Sequence, residues 1–114
     1  MADTAQSAEE FLFTSRRQPR ELVSALRLVL TEGVHIGWSQ AWQESHRRGV
    51  LVELPRDLRI AVFDLSAAGM AVPDPADTRA HSWTDDTGEE VTAGRLVITG
   101  EGRRLLELLE GKPT

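Results

Sequence analysis

The chain contains no cysteine. That excludes disulfides, thiolate nucleophiles and cysteine-ligated zinc, and leaves the protein indifferent to redox compartment. No apolar run approaches the roughly 18 residues that a bilayer-spanning helix needs. The first residues, Met1-Ala2-Asp3-Thr4, carry neither the basic nor the apolar region of a secretory leader, so a cytoplasmic location is expected. Lysine is almost missing: twelve of the 13 basic residues are arginine, whose guanidinium fork suits bidentate contacts to carboxylates or phosphates. Aromatic residues make up only 5% of the chain.

What is present describes an ordinary globular domain. The 114 residues are 40% hydrophobic and 27% charged, enough to bury a core without staples. One domain over 1–114 is expected, with residues 1–6 disordered. The net charge is −5, which runs against a strongly basic nucleic-acid surface. Charge is uneven: Arg16, Arg17, Arg20 and Arg27 lie early, and Asp74, Asp77, Asp85, Asp86, Glu89 and Glu90 crowd the second half.

Local patterns predict the elements. Ser7-Ala8-Glu9-Glu10 is a capping box that opens a helix near 8–16, with Phe11, Leu12 and Phe13 needing burial. Pro19 starts a second helix, 19–32, with Leu22, Leu26 and Val29 on one face, and Gly33 stops it. Residues 34–48 carry two periods at once. Val34, Ile36, Trp38 and Trp42 alternate as in a strand, while Trp38, Ala41, Trp42 and Ser45 have helical spacing; a helix from about 37 is expected, ending at Arg47-Arg48-Gly49. Residues 50–54 read as a strand, Pro55-Arg56-Asp57 as a turn and 58–65 as a second strand, together a hairpin. A short strand is expected at 70–72, and a second hairpin around Asp85-Asp86-Thr87-Gly88. Leu96-Val97-Ile98 then runs through Thr99-Gly100-Glu101-Gly102 into a helix from Arg103 to Gly111. Helices set apart from antiparallel hairpins define an α+β fold.

Few patterns carry chemistry. Two histidines eleven residues apart on one helix cannot share an ion, so His35 and His46 make no metal site. Gly37-Trp38-Ser39-Gln40-Ala41 lacks the larger α/β sheet of a nucleophile elbow. Gly100-Glu101-Gly102 lacks the third glycine of a dinucleotide fingerprint. The acids over 74–90 do not follow calcium-loop spacing. No catalytic residue, metal or cofactor is therefore expected, and the protein is read as not an enzyme.

The segment Ile98-Thr99-Gly100-Glu101-Gly102-Arg103-Arg104-Leu105-Leu106-Glu107-Leu108-Leu109 resembles the end of winged-helix regulators, where a wing strand enters a Leu-Thr-x-x-Gly-Arg turn and a final helix. Thr99, Gly102 and Arg103 match. The resemblance implies three helices at 8–16, 19–32 and 37–48, the last a DNA-reading helix presenting Gln40, Gln43, Arg47 and Arg48. The acidic charge, two tryptophans on that helix and the long stretch 55–95 run against it.

The reading that best covers these features is a small non-catalytic regulatory or protein-binding module. Its expected partner face is Trp38, Trp42, His46, Arg47 and Arg48, because tryptophan and arginine anchor interfaces. The partner would be another protein, a basic one included, or a second copy in a homodimer; no membrane is expected. The alternatives are a winged-helix DNA-binding regulator and a small ligand-binding or enzymatic domain using His35, His46 or His81 with acids such as Asp64. A concave pocket holding two of the three histidines would favour the last.

Overall fold

A computed structural model describes residues 6–31, 33–45 and 49–111. Within them the chain runs α1 (Ala8–Thr14), α2 (Pro19–Thr31), β1 (Val34–Ile36), β2 (Ala41–Glu44), β3 (Val50–Glu53), α3 (Arg56–Ala67), β4 (Ala71–Pro73), β5 (His81–Asp85), β6 (Glu90–Ile98) and α4 (Gly100–Glu110). The fold is α+β. No described helix is long and apolar enough to cross a membrane.

The two N-terminal helices follow from their sequences. The Ser7 hydroxyl accepts from the Glu10 N–H and the Glu10 carboxylate accepts from the Ser7 N–H, completing the capping box and satisfying two of the donors that a helix start leaves open. Ala8 and Phe11 are buried and Leu12 packs against the core, but Phe13 is 90% exposed, against expectation. Disorder was expected over 1–6; residues 1–5 lie outside the described ones, and the Gln6 N–H is tied to the Ala68 carbonyl at 3.1 Å. Leu22, Ala25, Leu26 and Val29 form the buried stripe of α2.

The segment after α2 departs from the expected helix. Residues 34–44 form a β-hairpin, with Val34 opposite Gln43, His35 opposite Trp42 and Ile36 opposite Ala41. Alternation won over helical spacing because the segment is covered on both faces. Val34, Ile36 and Ala41 join the core under the helices, while Trp42 packs the other way, against Leu51 and Ala93. A helix would have put Trp38 and Trp42 on one side; the hairpin puts Trp38 in the connecting turn. The expected end of that helix, 46–48, lies outside the described residues.

A second departure follows β3. Residues 58–65 are not a strand but the body of α3. Leu58, Ala61, Val62 and Leu65 recur at the spacing of one helical face and pack into the core, with Phe63 partly buried against it as well. Pro55, which ends β3, stands at the N-cap of α3, a place that suits its missing N–H and fixed φ. The expected hairpin 50–65 is therefore a strand followed by a helix that carries the chain across the sheet.

The last third keeps its expected order. β4 occupies 71–73, and β5 and β6 form the hairpin, from His81 opposite Ala93 to Thr84 opposite Glu90. The closing helix begins at Gly100, three residues before its expected start. Thr99 is its N-cap: the hydroxyl accepts from the Gly102 N–H and lies 2.9 and 3.0 Å from the Gly69 and Met70 carbonyls. Gly111, in the left-handed region at φ +68°, ends it.

Pairing around the sheet closes on itself. The order is β1-β2-β3-β5-β6-β4, and β1 also pairs with β6. Five strands, β1-β2-β3-β5-β6, thus form a ring, with β4 joined to β6 beyond β5. The β3–β5 pair is parallel and the other pairs are antiparallel. One face of these strands meets the helices around Leu22, Leu26, Leu65, Leu96 and Leu105; the other holds Trp42, Leu51 and Ala93 with Trp83 and Val91.

Candidate functional site

Two features stand out on this scaffold: a displayed tryptophan and a histidine pocket. The first is the turn 37–40. The Gly37 N–H donates to the Gln40 carbonyl at 2.9 Å. A Cβ on Gly37 would lie 3.0 Å from the Thr92 carbonyl oxygen and 3.1 Å from the Trp42 ring, so the root of the turn sits tightly on β6 and on the inner cluster. At its tip Trp38 is 100% exposed. Beside it runs an apolar groove of about 490 Å³, lined by Ile36, Pro73, Ala80, Gly94, Leu96 and Trp38 itself, among others.

Of the expected partner face only Trp38 and Trp42 are among the described residues, and the two do not share a surface. Trp42 is 3% exposed and belongs to the inner cluster, so its ring presents nothing to a partner. Trp38 alone of the two tryptophans faces outward. Gln40 is exposed and Gln43 half-buried. His46, Arg47 and Arg48 lie outside the described residues. Asp64 pairs with Arg17 at 3.4 Å and does not line the pocket that holds the described histidines, His35 and His81.

The second feature is a pocket of about 240 Å³ on the face of the strands opposite the helices. It brings together His35 from β1, Glu44 from β2, Asp74, Asp77 and Arg79 from the 74–80 loop, His81 and Trp83 from β5, and Ala93 and Arg95 from β6. Strand alternation explains the grouping: His81 and Trp83 share one face of β5, as Ala93 and Arg95 do on β6. His35, 2% exposed, lies opposite both Trp42 and Arg95 in the pairing. Its Nε2 is 2.8 Å from a Glu44 oxygen, and its ring meets the Trp83 indole at 4.5 Å between centroids. Gly33, at φ +78°, makes room for that carboxylate: a Cβ there would come within 2.5 Å of the Glu44 oxygen.

At the rim His81 Nε2 stands 2.6 Å from Asp77, whose carboxyl is held below its usual 3.8, first by this hydrogen bond and also by the Arg79 N–H. Two of the lining residues carry a buried polar atom without a hydrogen-bond partner, His35 Nδ1 and Trp83 Nε1. Among the described residues no group of three or more histidine or acidic side chains could hold a metal ion.

The glycines of Gly100-Glu101-Gly102 serve packing. A Cβ on Gly102 would fall 2.2 Å from the Met70 carbonyl oxygen, so glycine is what lets the first turn of α4 approach the backbone at Met70. The Glu101 carboxylate accepts from the Ala8 N–H at 2.8 Å and joins α4 to α1. Sequence reasoning missed the pocket because it weighed His35 only with His46 along a helix; the signal lay in the alternation of Val34-His35-Ile36 and in the second alternating run from His81. Compared with known proteins, the chain matches no family model, no curated protein and no solved structure.

Proposed function

We propose that this chain is a non-catalytic binding module that docks another protein through the turn 37–40. The observation that carries this reading is Trp38, wholly exposed at the tip of a turn whose base is fixed on both sides. Tryptophan offers a large contact area with few rotatable bonds, which is why it recurs as an interface anchor. A turn already held in shape loses little entropy on docking. The apolar groove beside it extends the contact. Knob and groove adjoin on one molecule, so a second copy related by a two-fold axis is a self-complementary partner. For a different protein as partner, the charge of −5 favours a basic one through steering of the encounter.

The test compares the protein with Trp38→Ala. Sedimentation across a wide concentration range reads self-association, and affinity capture followed by binding with purified components reads a different partner. Loss of either association in Trp38→Ala, with an unchanged melting curve, is the expected result. Identical association by both proteins overturns the reading.

The winged-helix alternative draws on the N-cap Thr99 with Gly102 and Arg103 behind it, and on β4 and β5 both pairing with β6 ahead of α4. Against it stand a β-hairpin where the DNA-reading helix was expected and the net acidic charge. Affinity for duplex DNA at low ionic strength separates the two.

A further inference from the structure

The histidine pocket holds a mismatch of hydrogen-bonding groups that defines a ligand. Its carboxylates are already engaged: Glu44 by His35, Asp74 by the Ala76 N–H at 2.9 Å, and Asp77 by His81 and the Arg79 N–H. Its two guanidiniums make no hydrogen bond or ion pair among the described residues, although the charge of Arg79, behind the His81 hydrogen bond, helps to hold the Asp77 carboxyl down. Several surface arginines are likewise without such a partner among the described residues, but Arg79 and Arg95 line one pocket. The buried Trp83 Nε1 is a donor only and has no acceptor. With Glu44 as its acceptor, His35 Nε2 carries the ring proton, so in the neutral ring Nδ1 is a buried lone pair with no donor. A buried polar group left in this way is costly, and native structures seldom keep one without a reason.

We propose that this pocket binds a small oxyanion that also carries a hydroxyl hydrogen, the chemistry shared by hydrogen phosphate and a short hydroxy acid. The anionic oxygens lie at the mouth between Arg79 and Arg95, where guanidinium forks give charge-assisted, bidentate contacts. One oxygen accepts from the Trp83 indole N–H, and the O–H donates to His35 Nδ1. The volume of about 240 Å³ falls below the range of drug-sized sites and suits a ligand of a few heavy atoms. The site is distinct from the Trp38 tip, although Arg95 lines both the pocket and the groove.

The test follows the three indole N–H signals by nuclear magnetic resonance at constant ionic strength, assigned through Trp→Phe variants. Phosphate, glycolate and acetate are added in turn. The expected result is a saturable shift of the Trp83 signal with phosphate or glycolate, at least about tenfold tighter than with acetate and about tenfold weaker in Arg79→Gln and Arg95→Gln, where a charge-assisted contact is lost. Phosphate tighter than glycolate assigns a phosphoryl group; the reverse assigns a hydroxy acid. A Trp83 signal that ignores both, acetate binding as tightly as either, or full affinity in both arginine variants overturns the proposal. The wild-type titrations decide the first two outcomes without any variant.

Discussion

Trp38 and Trp42, four residues apart, have opposite roles, and one substitution at each separates them. Trp42→Ala empties the centre of the inner cluster and is expected to cost about 3–5 kcal/mol in urea unfolding. Trp38→Ala removes a ring that packs on nothing and should stay within about 0.5 kcal/mol of the parent. His81 and Asp77 offer a titration test. The folded carboxyl lies below its usual 3.8, so its contribution to stability is present above that value and is lost as the pH falls through the folded one. In His81→Ala the main cause of the depression is gone, and the Asp77 carboxyl followed by carbon-detected resonance should titrate at higher pH than in the parent. An unmoved Asp77 midpoint would assign the depression to Arg79, through its N–H and its charge.

At the scale of elements, caps carry the sharpest contrast. Ser7 and Thr99 are both N-caps, but Thr99 also lies within hydrogen-bond distance of two carbonyls at the end of the α3–β4 connection. Ser7→Ala should cost about 1 kcal/mol and Thr99→Ala clearly more, because the second change also removes the hydroxyl donor shared by the part-buried Gly69 and Met70 carbonyls, of which Met70 keeps the Thr99 N–H; thermal unfolding of the two variants reads the difference. The same caps explain what was legible in the sequence. Ser7 with Glu10, Pro19 and the turn at 85–88 act on neighbours a few residues away, so their elements were readable. Residues 37–44 were not, because Trp38 and Trp42 satisfy two periods and only the cover on both faces chose between them. In 58–65 the decisive set, Leu58, Ala61, Val62 and Leu65, was visible, but the β-branched and aromatic content of the run favoured the strand that the structure lacks. The pocket was the least legible feature. His35 meets Glu44 through the register of β1 on β2, and both meet His81 and Arg95 only through pairings that span some sixty residues.

On the scale of the whole molecule, the α+β class follows from helical and alternating segments along the chain, while the ring does not. The parallel β3–β5 pair and the β1–β6 pair join segments far apart in sequence, and no local pattern announces either. Charge acts at this scale as well. Glu9 is held below its usual range chiefly by the Arg104 hydrogen bond, and Asp85 chiefly by the Thr87 hydroxyl. Together with Asp77 they give up stabilisation in the same direction on acidification, so the fold should weaken as the pH drops below the ordinary carboxylate range.

β6 binds β5 and β4 along one part or another of its length and β1 as well, so it works as a keystone. It cannot fray from a side, since releasing it undoes the loop of strands and sets β4 adrift in one event. Amide deuteration at Ala93 through Val97 should therefore be the slowest in the protein, and should proceed only when the whole chain opens.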